Sequence, residues 1–204
     1  PAGSKIDEEP PDGAGVRFMW YSNKSSLRAG QVISNGGDQW NDINIGVNSV
    51  AMGLNTKGLG AQSTALGNST TARGTDSFAV GLNTEAVGTQ SAAFGSGTQT
   101  LTGATYSIVG GINSTIGANA SAAFAFGKDV SSTANYSMSF GETTNARGTH
   151  SFAGGNGSIA MGVGSMAYGL NVITDDNAAG TALQSLSFGN ATKAYGNQAV
   201  AMGY

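Results

Sequence analysis

The chain has 204 residues, of which 33 are Gly, and only 10% are charged against roughly 25% in ordinary soluble domains. Hydrophobic residues make up 39%, which excludes the apolar-poor composition of a disordered chain. A net charge of −3 and the absence of Cys argue against a nucleic-acid partner, which needs a basic face, and exclude disulfides, thiol catalysis and cysteine zinc sites.

In chain order, residues 1–15 open at Pro1 and carry Asp7-Glu8-Glu9-Pro10-Pro11, which reads as a flexible linker. With no initiator Met and no basic-then-apolar leader, the chain is expected to be a fragment whose export signal and anchor lie elsewhere. No apolar run reaches the roughly 18 residues of a membrane span, so direct insertion of this fragment is not expected. Residues 16–44 are not repetitive and are richer in large side chains: Phe18, Trp20, Tyr21, Leu27 and Trp40. A stack of repeats needs an atypical end to cover its open core and strand edge. This segment is therefore read as an N-terminal cap with short strands at Val16–Tyr21 and Leu27–Val32; the competing reading is an aromatic ligand patch.

From residue 45 to 204 the sequence repeats itself. Ser49-Val50-Ala51-Met52-Gly53 returns as Ser63–Gly67, Ser77–Gly81 and Ser91–Gly95, the Ser moving by 14 residues each time. Drifted copies follow at Ser107–Gly111, Ser121–Gly127, Ser137–Gly141, Ser151–Gly155, Ser158–Gly162, Ser165–Gly169, Ser185–Gly189 and Ala199–Gly203. Weaker half-repeats lie between them, as at Ala72-Arg73-Gly74 and Ala146-Arg147-Gly148. Fourteen residues are too few for a helix pair and suit two short strands with two tight turns, one coil of a β-solenoid. About a dozen coils at roughly 4.8 Å each would make a rod of about 55 Å.

Alternation assigns the faces of the first strand. Ser, Ala and Gly point into the narrow coil. The large residues point out, as a row of Val50, Met52, Leu66, Phe78, Val80, Phe94, Met138, Phe140, Ile159, Met161, Met166, Tyr168, Leu186, Phe188, Val200 and Met202. So long an apolar stripe exceeds any normal exposed patch. The same stripe on identical chains would cover it; a missing segment of the chain is the alternative.

The 14-residue pattern, above all Asn48-Ser49-Val50-Ala51-Met52-Gly53, resembles the head repeat of YadA-type trimeric autotransporter adhesins over Ile45 to Tyr204. The resemblance implies an all-β, left-handed parallel β-roll, assembled as a homotrimer with the apolar row at its axis. It also implies a non-enzymatic adhesin head, extracellular and tied to a bacterial outer membrane through other segments, with a role in virulence. Partners would be a host matrix protein or a surface glycan; collagen-binding heads use Asn-Ser-Val-Ala-Ile-Gly, and only Asn48–Gly53 comes close, with Met52 in the Ile position. The segment Ser26–Gly30 is similar to stretches in fibre proteins of phages and contractile injection systems, which keeps a tail-fibre alternative open.

Departures from 14 mark candidate ligand loops. Ser91 to Ser107 and Ser121 to Ser137 are 16 apart, and Ser165 to Ser185 is 20 apart. The loops so marked are Thr98–Tyr106, with Thr98, Thr100, Leu101 and Tyr106, and Val172–Gly180, with Asp175, Asp176 and Asn177. The paired Asp with Asn has oxygen ligands suited to Ca²⁺, but adjacent carboxylates on a turn are more often just solvated, and no metal is assigned. Seven-residue steps between Ser151, Ser158 and Ser165 predict a bend or a coil without its outer strand. A column of Thr56, Thr70, Thr84 and Thr98 raises an ice-binding alternative. His150, the single His, is expected on a turn; no catalytic pair, phosphate loop or cofactor site is evident.

Overall fold

A computed structural model describes residues 13–33, 38–175 and 183–204. Two strands open it, β1 (Gly15–Tyr21) and β2 (Ser26–Val32), paired antiparallel. The first coil follows with β3 (Val50–Leu54) and β4 (Lys57–Gly58). Each later coil repeats that unit, a strand of about five residues and then one of two or three. The long strands stack into a 13-stranded sheet that begins with β1, β2 and β3, and the short strands into a 10-stranded sheet. Every pairing beyond β1 with β2 is parallel and in repeat register, so Ala51, Ala65, Ala79 and Ala93 lie side by side. The architecture is a β-solenoid.

The coil closes because its corners accept left-handed backbone. Asn55, Asn83 and Asn113 take positive φ at the corner after the long strand, and Gln62, Asp76 and Gln90 at the corner before the next. Asn and Asp tolerate this region better than most residues. Gly at the end of the long strand has a different reason from the one its alternation implies. It does not line the interior: a Cβ on Gly81, at φ +135°, would overlap the carbonyl oxygen of Gly95 in the next coil. Glycine there lets successive coils approach.

The interior is narrow and filled by small side chains. Ala65, Ala72, Ala79 and Ala86 are fully buried, with Ser63, Thr70, Ser77 and Thr84 among them. Coil length sets how much fits. Facing inward from the short strand are Gly58, Ala72, Ala86, Thr100, Ile116, Ser132, Ala146, Ala160, Thr174 and Ala194. Those larger than Ser, namely Thr100, Ile116 and Thr174, fall in the coils of 16, 16 and 20 residues. Ile116 and Val109 are both fully buried in the second of these coils.

Two register readings from the sequence are corrected. The second 16-residue coil runs from Ser107 to Ala123, not from Ser121, because the strand is Phe124–Lys128 and pairs Val109 with Ala125. Ser158 does not open a shortened coil. Ile159–Ala160 is a short strand paired with Asn145–Ala146 and Ile173–Thr174, so Ser151 to Ser165 is one ordinary 14-residue coil with both strands.

At the N-terminal end β2 lies parallel on β3 and sets Arg28 beside Ala51. The Arg28 side chain is fully buried and closes the first coil. Its Nη1 donates to the carbonyls of Leu27 and Ser49, and its Nη2 to Ser49 Oγ at 2.8 Å and the Gly58 carbonyl at 3.1 Å. Burial away from water lowers its pKa to about 10. Trp40 is also buried, with Nε1 donating to the Thr56 carbonyl at 3.0 Å. Trp40 therefore serves the coil end. Val16, Phe18 and Trp20 instead face outward from β1 and are exposed.

Candidate functional site

The outward face of the long-strand sheet carries two columns of side chains, because strand residues two apart share a face. One column runs Trp20, Leu27, Val50, Thr64, Phe78, Ala92, Ile108, Phe124, Met138, Phe152, Met166, Leu186 and Val200. The other starts at Phe18 and passes through Met52, Leu66, Val80, Phe94, Phe126, Phe140, Tyr168 and Phe188 to Met202. Nothing in the chain's described residues packs over them: exposure is 36% at Phe94 and 74% at Met202.

Rings tile this face from coil to coil. Phe78 meets Phe94 at 5.6 Å, Phe124 meets Phe140 at 5.1 Å, and Phe140, Phe152, Tyr168 and Phe188 continue at 6.0–6.4 Å. Glycines make room for them. A Cβ on Gly110 would strike the Phe126 ring, and one on Gly154 the Tyr168 ring. The result is a smooth apolar wall with offset and tilted ring contacts of the favoured kind.

Most of the sequence-predicted row lies on this wall: Val50, Met52, Leu66, Phe78, Val80, Phe94, Met138, Phe140, Leu186, Phe188, Val200 and Met202. Ile159 and Met161 do not. Ile159 lies on the short-strand sheet and Met161 directly follows it, because Ser158 imitates the long-strand motif while occupying the short-strand position. Phe152 takes that coil's place in the wall. Phe124 and Phe126 escaped the row because the second two-residue addition shifted the pattern, and Ile108, in the copy Ser107–Gly111 that the sequence does place, also belongs to the wall. The pairing of Val109 with Ala125, 16 residues apart, was the signal that could have found them.

The loop candidates fare differently. Thr98 and Thr100 are fully buried and line the coil interior, so neither can meet a ligand. Thr100 Oγ1 accepts from the Val87 amide at 3.0 Å and lies 2.9 Å from Ser91 Oγ. Leu101 is half-buried and Tyr106 exposed on the corner. The two-residue additions do not form free loops. The Asn119 amide donates to the Thr102 carbonyl at 2.9 Å and Thr105 Oγ1 pairs with Ser121 Oγ at 2.8 Å, so the additions of adjacent coils stack as one ridge. Asp175 ends the strand Ile173–Asp175, opposite Tyr195. Asp176 and Asn177 lie outside the described residues. Among the described residues no three His, Cys, Asp or Glu gather as a metal site.

The ice-binding alternative is overturned. Thr56, Thr70, Thr84 and Thr98 are buried inside the coil and present no face to solvent. Charge is sparse, and some of it is paired between neighbouring coils. Arg73 pairs with Glu85, and Lys128 Nζ meets Glu142 Oε1 at 2.8 Å, which raises the Lys128 pKa through that hydrogen bond and the adjacent negative charge. No helix is long and apolar enough to cross a membrane among the described residues.

Compared with known protein families, the chain matches the YadA head domain repeat at residues 45–70, 59–84, 72–98, 132–158, 153–173 and 181–204, together more than half of its length. No curated protein matches it.

Proposed function

Because the chain belongs to the family of YadA head domain repeats, we propose that it is the head segment of a homotrimeric surface adhesin. Its three left-handed rolls stand side by side, and it attaches its parent cell to a host or other surface by multivalent binding. The observation that carries this reading is the apolar wall. Half-exposed Phe, Met, Leu and Val along thirteen strands form a patch that a lone soluble chain does not present to water. Three identical walls meeting on an axis remove it from solvent and fix the symmetry. The head then acts without chemistry of its own, as a rigid extracellular rod whose three copies raise avidity.

The test is solution mass by light scattering on the chain and on the double variant Phe94→Glu/Phe140→Glu. The expected result is the mass of three chains for the parent and of one chain for the variant, since six carboxylates at the axis would be buried without partners. A parent chain that runs as a monomer, with its wall exposed and no aggregation, overturns the proposal.

A further inference from the structure

The corner before each long strand places one residue per coil in left-handed backbone, and these residues form a column down the roll. Tyr136 (φ 57°), His150 (φ 57°), Gly164 (φ 65°), Gln184 (φ 60°) and Gln198 (φ 56°) are consecutive members. The Tyr136 and His150 rings stack at 4.8 Å with their planes 7° apart. One face of the imidazole is thus covered by the phenol. Its other face looks along the column to Gly164, which has no side chain to cover it. A Cβ there would touch only Gln184 Cγ, at 3.6 Å. The column therefore has a notch one coil high, about 4.8 Å, where a third ring would continue the stack.

The notch opens into a cleft of about 500 Å³ lined by His150, Val163, Gly164, Leu183, Gln184, Asn197 and Gln198, within the usual size range of small-ligand pockets, about 300–1,000 Å³. Val163 and Leu183 supply apolar floor. The polar groups are side-chain amides, each able to donate and accept. Asn197 Oδ1 already accepts from the Leu183 amide at 3.0 Å, which fixes that side chain and leaves its NH₂ to donate. No Asp, Glu, Lys or Arg is among the described lining residues. A flat stacking wall, an apolar floor, amide donors and acceptors and no formal charge among the described lining residues suit a ring with an apolar C–H face and a rim of neutral hydroxyls. They do not suit a phosphate or a carboxylate, which would call for a cation.

We propose that this notch is a binding site for a neutral sugar ring, stacked on the free face of His150 and hydrogen-bonded by Gln184, Asn197 and Gln198. Its purpose in attachment rests on the adhesin reading above; its existence does not. Three copies in a trimer would present three such sites and turn weak single contacts into avid binding.

His150 is the only His, so its ring resonances in the full chain are a clean reporter. They are followed by NMR while methyl glycosides of glucose, galactose, mannose and N-acetylglucosamine are added to about 50 mM, enough to saturate a site of low-millimolar Kd. A saturable shift with at least one sugar is expected. The diagnostic variant is Gly164→Gln, which places a Gln at this corner as at Gln184 and Gln198, and so fills the notch with no more backbone strain than those two corners already bear. It should lower affinity at least tenfold while leaving the solution mass unchanged.

No saturable shift with any of the four sugars overturns the proposal. So does equal affinity in Gly164→Gln, or dissociation of the oligomer by that variant, which would place the corner inside a subunit contact. Beads coated with either chain separate the two readings. If both bead types attach to a glycan-free matrix-protein surface and neither chain binds sugar, the adhesin reading stands and the sugar site falls. If the sugar titrates but neither bead attaches to any surface, the site stands and the adhesin reading falls.

Discussion

Coil length should dictate which interior residues the roll tolerates, and one reciprocal pair of substitutions tests this. Ile116 sits fully buried in a 16-residue coil, and Ala146 occupies the equivalent inward position in a 14-residue coil. Ile116→Ala removes three carbons. At about 0.8 kcal/mol each, the lost transfer energy is about 2.4 kcal/mol. The void adds to it, because parallel strands locked on both sides cannot collapse inward, so about 3–4 kcal/mol is expected, inside the range for such truncations. Ala146→Ile adds the same three carbons to a ring that has no room, and overpacking should cost about 2–3 kcal/mol.

Urea unfolding at fixed protein concentration measures both. The midpoints should fall with little change in slope, since neither substitution changes the surface exposed on unfolding. A third variant sharpens the test. Inserting Thr-Gly after Arg147, as Thr102-Gly103 stand after Leu101, widens the coil and should recover about half of the Ala146→Ile loss, a gain that strain relief of this size permits. If Ala146→Ile costs less than about 0.5 kcal/mol, the level of an ordinary surface change, interior width does not limit these coils and the reasoning fails.

Gly81→Ala should destabilise by at least about 2 kcal/mol, combining strain at φ +135° with the overlap on the Gly95 carbonyl; thermal unfolding at matched concentration measures it, and a neutral result would show that coil spacing can relax. Trp40→Ala should cost about 3–5 kcal/mol by opening the first coil, with the loss seen first as faster hydrogen exchange in the strands Val50–Leu54 and Lys57–Gly58. Arg28→Ala should cost about 2–4 kcal/mol by removing the side chain that closes the first coil together with its hydrogen bonds to Ser49 and the Gly58 carbonyl, while Arg28→Met, which fills the space without a buried charge, should cost under about 1 kcal/mol. Burial lowers the Arg28 pKa on folding to about 10, so above that pH the unfolded chain binds more protons than the folded one. Stability relative to Arg28→Met should therefore rise as pH is raised above about 10; a difference that falls there in urea titrations would refute a desolvated guanidinium.

Much of the roll was written in the sequence. A 14-residue period with a two-residue alternation leaves little choice but small coils with a small-residue interior and a large apolar exterior, because Ala and Ser are what a ring of that circumference can enclose. Residues 16–44 also stood apart from the repeats by their large side chains, but which of these would be buried, as Trp40 is, and which exposed, as Phe18 and Trp20 are, was not written there. What the sequence could not assign was which sheet each motif copy occupies. Ser158-Ile159-Ala160-Met161-Gly162 carries the long-strand signature yet forms the short strand, and only its pairing with Asn145–Ala146 and Ile173–Thr174 shows this. The phase of the pattern was lost across the second added pair of residues, so Phe124 and Phe126 fell out of the row they extend. The Thr column had the same regularity whether it faced water or the interior, and burial decided it. Periodicity fixes the local geometry of a coil because neighbouring residues alone determine it; register, and with it the choice of face, depends on contacts with the coils above and below, which residues far apart in the chain supply.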